Sequence, residues 1–78
     1  MKILIVFGCG GNRDQFKRPI MGKIVNSYCD KIYLTDDNPR SENPKKIRLE
    51  IKKNINKSKV IEIPNRSEAI KKAIYDLK

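Results

Sequence analysis

Asp36-Asp37-Asn38-Pro39-Arg40, read together with Gly8-Cys9-Gly10-Gly11-Asn12-Arg13-Asp14, decides the fold. Each stretch follows a short apolar run with the composition of a buried β-strand: Ile3-Leu4-Ile5-Val6-Phe7 before the glycines, Ile32-Tyr33-Leu34-Thr35 before the aspartates. A helical pattern lies between them. Strands joined through a helix run parallel, so both loops are expected to leave the same edge of the sheet, where open α/β sheets bind their ligands. Any binding site is expected there.

Residues 3 to 7 are continuously apolar, which fits a strand covered on both faces near the middle of a sheet. Residues 8 to 18 then make a loop far longer than the usual βα connection of about 2 to 6 residues, which suggests a functional segment. Pro19 suits the first turn of a helix. Ile20, Met21, Ile24, Val25 and Tyr28 follow as a stripe expected to pack on the sheet. Beyond the second strand, Asn43 reads as an N-cap and Pro44 as the first helical residue, with Ile47, Ile51 and Ile55 on the buried face and the helix fading over Asn54-Ile55-Asn56. Val60-Ile61-Glu62-Ile63 reads as a third strand, and Ser67 as the cap of a last helix buried along Ala69, Ile70, Ala73, Ile74 and Leu77. The pattern β-α-β-α-β-α is that of an α/β parallel-sheet, Rossmann-like half-domain.

The 78 residues suffice for one unit, residues 1–78, and leave no room for a second domain. A chain this short buries only about 60% of its unfolded surface, so a fragment of a larger domain is expected. No apolar run approaches the roughly 20 residues that span a bilayer, and Met1-Lys2 leads straight into a strand; a cytoplasmic protein without membrane attachment is expected. With no histidine, and Cys9 and Cys29 far apart, no metal site is expected, and Cys9 reads as a small residue beside a tight turn. The net charge of +9 raises the question of nucleic acid, but 13 of the 18 cations are lysines scattered over the three helical segments without interleaved aromatics. A nucleic-acid partner is not expected.

Arg13, Arg40 and Arg66 lie just after the three strands, so a parallel sheet gathers them along one edge, where guanidinium groups suit carboxylate or phosphate. The competing reading makes each a loop anchor paired with Asp14, Asp36 or Glu68; it is favoured for Arg66, and a ligand for Arg13 and Arg40. Gly8-x-Gly10-Gly11 could bring backbone N–H groups to a phosphate. Arg13 nevertheless replaces the last glycine of G-x-G-x-x-G, and no G-K-[ST] follows, so neither nucleotide fingerprint is complete. Asp36 or Asp37 could still bond a ribose. A nucleotide- or dinucleotide-binding half-domain of an oxidoreductase or regulator therefore stays open as the alternative.

Phe7-Gly8-Cys9-Gly10-Gly11-Asn12-Arg13-Asp14, Lys17-Arg18-Pro19-Ile20-Met21-Gly22, Leu34-Thr35-Asp36-Asp37-Asn38-Pro39-Arg40-Ser41-Glu42 and Arg66-Ser67-Glu68-Ala69-Ile70 closely resemble the C-terminal domain of the Mur ligases, in particular those that add diaminopimelate. The resemblance implies part of an ATP-dependent amide ligase of peptidoglycan synthesis, acting on UDP-N-acetylmuramoyl dipeptide and meso-diaminopimelate. It implies that ATP and Mg2+ are held mainly by a central domain outside this sequence, and that this segment is the closing lid and amino-acid selector, inactive alone. By position, Asn38 and Arg40 would hold the distal end of meso-diaminopimelate, Arg13 would add a carboxylate contact, and Asp37 and Pro39 would shape the loop, with Asp37 also near the nucleotide. No catalytic residue and no metal ligand is implied within the segment. The family's earlier D-Y-A-H-x-P pattern and later G-K-G-H-E loop do not occur in this sequence, so about half of that domain is expected here, joined to the central and N-terminal domains.

Overall fold

In the computed structural model, which describes residues 2–12 and 15–77, the chain alternates strand and helix: β1 Leu4–Phe7, α1 Lys17–Tyr28, β2 Lys31–Leu34, α2 Pro44–Lys52, β3 Val60–Glu62 and α3 Arg66–Asp76. The strands form one parallel sheet in the order β1-β2-β3, with Ile32 opposite Ile5 on one side and Val60 on the other. β2 is thus the central strand, and its Ile32, Tyr33 and Leu34 are fully buried. The apolar run of β1 had suggested a place near the middle, but among the described residues β1 pairs only with β2 and is half-buried.

Alternation along the strands sends side chains to two cores. Ile5, Phe7, Ile32 and Leu34 face Val25, Cys29, Ile47, Ile51 and Ile55 of the α1–α2 layer, while Leu4, Val6, Tyr33 and Ile61 face Ala69 and Ala73 of α3. A fully buried Ile or Leu contributes about 1.5 to 3 kcal/mol, so the first core outweighs the second.

Of the stripe expected on α1, only Val25 packs on the sheet. The helix's buried face is Arg18, Gly22 and Val25, continued by Cys29, while Ile24 is 52% and Tyr28 74% exposed. Gly22 is what turns this face inward: a Cβ there would lie 2.1 Å from the Ile51 carbonyl oxygen, so α1 and α2 touch backbone to backbone. In α3, likewise, only Ala69 and Ala73 are buried, and Ile70, Ile74 and Leu77 are exposed.

The caps follow local chemistry. Asn43 accepts a hydrogen bond from the Lys45 N–H with Pro44 behind it, as expected, and α2 ends at Lys52, just before the weak helix formers. Asn65, not Ser67, caps α3, its Oδ1 accepting from the Glu68 N–H at 3.0 Å. An Asn two residues upstream offers the better-placed acceptor.

Candidate functional site

The loops after β1 and β2 leave the same sheet edge and are fastened together. Gly11 N–H donates to the Asn38 carbonyl at 2.7 Å, and the Arg40 guanidinium donates through Nη1 to the Gly11 carbonyl at 2.8 Å. The glycines make this approach possible. A Cβ on Gly8 would lie 2.2 Å from the Thr35 carbonyl oxygen, one on Gly11 1.7 Å from that of Pro39, and one on Gly10 2.8 Å from Arg40 Nη1. The second loop thus packs directly on the backbone of Gly8 and Gly11.

Between the loops lies a cleft of about 320 Å³, lined by Gly8, Cys9, Gly10, Lys17, Met21, Asp37, Asn38 and Arg40. Lys17 and Arg40 give it cationic groups, Asp37 and Asn38 a carboxylate and an amide, and Cys9 and Met21 an apolar wall, their sulfur atoms 3.7 Å apart. Burial raises the Cys9 thiol pKa, against the opposing pull of the Arg18 cation, so Cys9 stays a protonated wall residue.

Asn38 Oδ1 accepts the Arg40 N–H at 3.2 Å, and Arg40 takes a φ of 52°, a left-handed conformation. This Asx turn presents the arginine at the cleft. Asp37 accepts the Asn38 N–H at 2.9 Å and faces Arg66 at 3.7 Å, an exposed pair worth little. Arg66 is thus a loop partner, with Asp37 in place of the Asp36 or Glu68 expected. Pro39 packs behind the loop against Gly11 and does not line the cleft. Arg13 and Asp14 lie outside the described residues.

Two buried arginines hold this edge, and neither stood out in the sequence. Arg18, its side chain 1% exposed, bonds both oxygens of Glu42 at 2.7 and 2.9 Å, Glu50 at 2.8 Å and the Gly10 carbonyl at 3.0 Å. The Arg18 guanidinium, with help from the Asn12 N–H at 2.6 Å, holds the Glu42 carboxyl down to about 2. Arg48 bonds Asp36 and Glu62, and Lys52 also reaches Glu62 at 2.6 Å, tying α2 to the ends of β2 and β3. Burial lowers the Arg48 pKa, but these carboxylates outweigh it and the net shift is upward. The signal that could have found both is charge at helix positions adjoining an apolar face, with acidic residues near in fold order.

Residues 1–78 match the family model described as Mur ligase, glutamate ligase domain. The chain belongs to the Mur ligase family. It is 56% identical over 77 residues to the UDP-N-acetylmuramoyl-L-alanyl-D-glutamate--2,6-diaminopimelate ligase of Rickettsia conorii, covering 99% of this chain and 16% of that protein. It is 51% identical over 75 residues to the ligase of the same name from Buchnera aphidicola, covering 95% and 15%. A solved structure of a UDP-N-acetylmuramoyl-L-alanyl-D-glutamate--2,6-diaminopimelate ligase superposes with a TM-score of 0.81 at 43% identity, over 90% of this chain and 15% of that one. This Mur ligase segment therefore spans about one-sixth of the length of such relatives. Among the described residues no helix is long and apolar enough to cross a membrane.

Proposed function

We propose that this chain is the diamino-acid-selecting part of an ATP-dependent ligase that joins meso-diaminopimelate to UDP-N-acetylmuramoyl-L-alanyl-D-glutamate in peptidoglycan synthesis, in the cytoplasm. Residues 1–78 act as one partial domain beside the ligase's central and N-terminal domains. The observation that carries the reading is Arg40, held at the cleft in a left-handed turn with only one described hydrogen bond from its guanidinium, to Gly11.

Meso-diaminopimelate differs from lysine by one carboxylate. A guanidinium offers five donors in a rigid fork, so Arg40 keeps donors for that group. Asn38 and Asp37 supply acceptors for the neighbouring ammonium, Pro39 fixes the loop from behind, and Arg13 would add a second cationic contact. Lysine leaves the fork unmatched, which is how such a site rejects an analogue lacking one polar group. Asp37, exposed on the loop, would also meet the nucleotide. Among the described residues no group of three His, Cys, Asp or Glu side chains could hold a metal ion; ATP and Mg2+ would be held mainly by the ligase's central domain.

The test is ligation of meso-diaminopimelate against lysine by a full-length ligase carrying residues 1–78, with Arg40 intact and as Arg40→Ala. Loss of a charge-assisted bidentate contact of about 1.5 to 3 kcal/mol should lower diaminopimelate use by about ten- to a hundred-fold. Lysine use should change little. A preference for lysine in the intact enzyme, or an Arg40→Ala variant as selective as its parent, would overturn the assignment.

A further inference from the structure

We infer that Arg18 is a positioning residue for the diamino-acid cleft, acting through Glu42 and the Gly10 carbonyl to fix the loop that presents Arg40; this rests on the reading of the cleft given above. Arg18 does not line the cleft. Its guanidinium instead grips both walls. Nη2 donates to the Gly10 carbonyl on the first loop and to Glu42 Oε1 on the second, and Nη1 donates to Glu42 Oε2.

Glu42 is the coupling group. The oxygen that meets Arg18 also accepts the Asn12 N–H, and the Glu42 N–H donates to the Pro39 carbonyl at 3.0 Å, closing the turn that contains Arg40. Asn12, on the facing loop, is itself left-handed at φ 57°, and its side-chain amide donates to Ser41 Oγ at 2.7 Å. A left-handed residue on each loop is thus tied to the same network, Asn12 through Glu42 and Ser41 and Arg40 through the turn that Glu42 closes.

A buried ion pair is a weak argument for stability, because desolvation offsets most of the attraction, but a bidentate pair fixes direction. Binding groups must be held within about 0.5 Å of productive geometry, and displacement by about 1 Å can cost a hundred-fold. Glu50, on α2, completes the fork and refers both loops to the helical layer. The arrangement sets where Arg40 sits.

The experiment compares kcat and KM for meso-diaminopimelate and for lysine in a full-length ligase carrying residues 1–78, as parent, Arg18→Lys, Glu42→Gln, Arg40→Ala and Arg18→Lys/Arg40→Ala. Lysine at position 18 keeps the charge and loses the fork; glutamine at position 42 keeps the shape and loses the charge. Each is expected to raise KM for meso-diaminopimelate about ten- to a hundred-fold, with a smaller change in kcat, and to shrink the diaminopimelate-to-lysine ratio of kcat/KM. The double variant should be no less selective than Arg40→Ala alone. A purely structural role predicts equal losses for both substrates, in step with the folded fraction, and an unchanged ratio; that result overturns the inference while Arg40→Ala still upholds the cleft. Should Arg18→Lys fail to fold, the selectivity of Glu42→Gln decides alone. If Arg40→Ala itself leaves the ratio unchanged, the reading of the cleft falls and the inference with it.

Discussion

Glu42 carries a titration that can be isolated from the rest of the chain. Its carboxyl is held down to about 2 from an ordinary 4.5, first by Arg18 and then by the Asn12 N–H. A group depressed in the folded state stabilises it above the unfolded value and loses that contribution as pH falls through the folded one. Urea midpoints of the parent should therefore exceed those of Glu42→Gln at pH 7, and the gap should close between pH 4.5 and about 2. A gap that persists at pH 2 would mean the carboxylate is not held by Arg18. Gly11 is the other residue with a sharp expectation, since a Cβ there would lie 1.7 Å from the Pro39 carbonyl oxygen. Gly11→Ala must part the loops, and should cost about 1 to 3 kcal/mol by thermal denaturation as an overpacked contact does. That Asn38, Pro39 and Arg40 make an irregular turn after β2 was legible in the sequence, because Asp, Asn and Pro in succession are turn chemistry. The left-handed setting of Arg40 was not, because it depends on a partner loop 27 residues upstream, where Gly11 meets Asn38.

At the scale of the elements, α1 shows where pattern reading goes astray. Its apolar residues make a plausible stripe, yet the face that meets α2 runs through Arg18, Gly22, Val25 and Cys29. Hydropathy cannot mark such a face. A guanidinium is buried there because Glu42 and Glu50 neutralise it, and a glycine because backbones touch. α2 also buries a guanidinium, Arg48, yet its Ile47, Ile51 and Ile55 spacing still reported its buried side directly. The contact at Gly22 makes a prediction for the pair of helices. Gly22→Ala would force α1 away from the Ile51 carbonyl, outweighing alanine's better helix propensity, and should destabilise the chain by about 1 to 3 kcal/mol in urea titrations. Stabilisation by the usual ~1 kcal/mol of a glycine-to-alanine change in a helix would show that the two backbones do not touch. The succession of strands and helices along the chain, by contrast, was legible, because strand-loop-helix repetition admits few topologies, although the place of β1 in the sheet was not.

At the scale of the whole molecule, the sheet is covered unequally. The α1–α2 layer brings five buried residues, Val25, Cys29, Ile47, Ile51 and Ile55, to one face, whereas α3 brings Ala69 and Ala73 to Tyr33 on the other. The Tyr33 hydroxyl donates to Asp76 at 2.6 Å, and burial together with that bond pushes its pKa up to about 12. Among the described residues, the tie from α3 itself to the cleft is the exposed Arg66–Asp37 pair at 3.7 Å. The consequence lies in time. Elements with few buried apolar contacts open on their own, well below the free energy of global unfolding. In a hydrogen–deuterium exchange series, amides of Ile70 to Tyr75 should lose protection first, while those of Ile32 to Leu34 and of α2 exchange together and later. Simultaneous exchange of all three segments would show a single cooperative unit. An edge knotted to the thick side of the sheet keeps its shape while the thin side breathes, so the cleft is built on the slow half of the molecule.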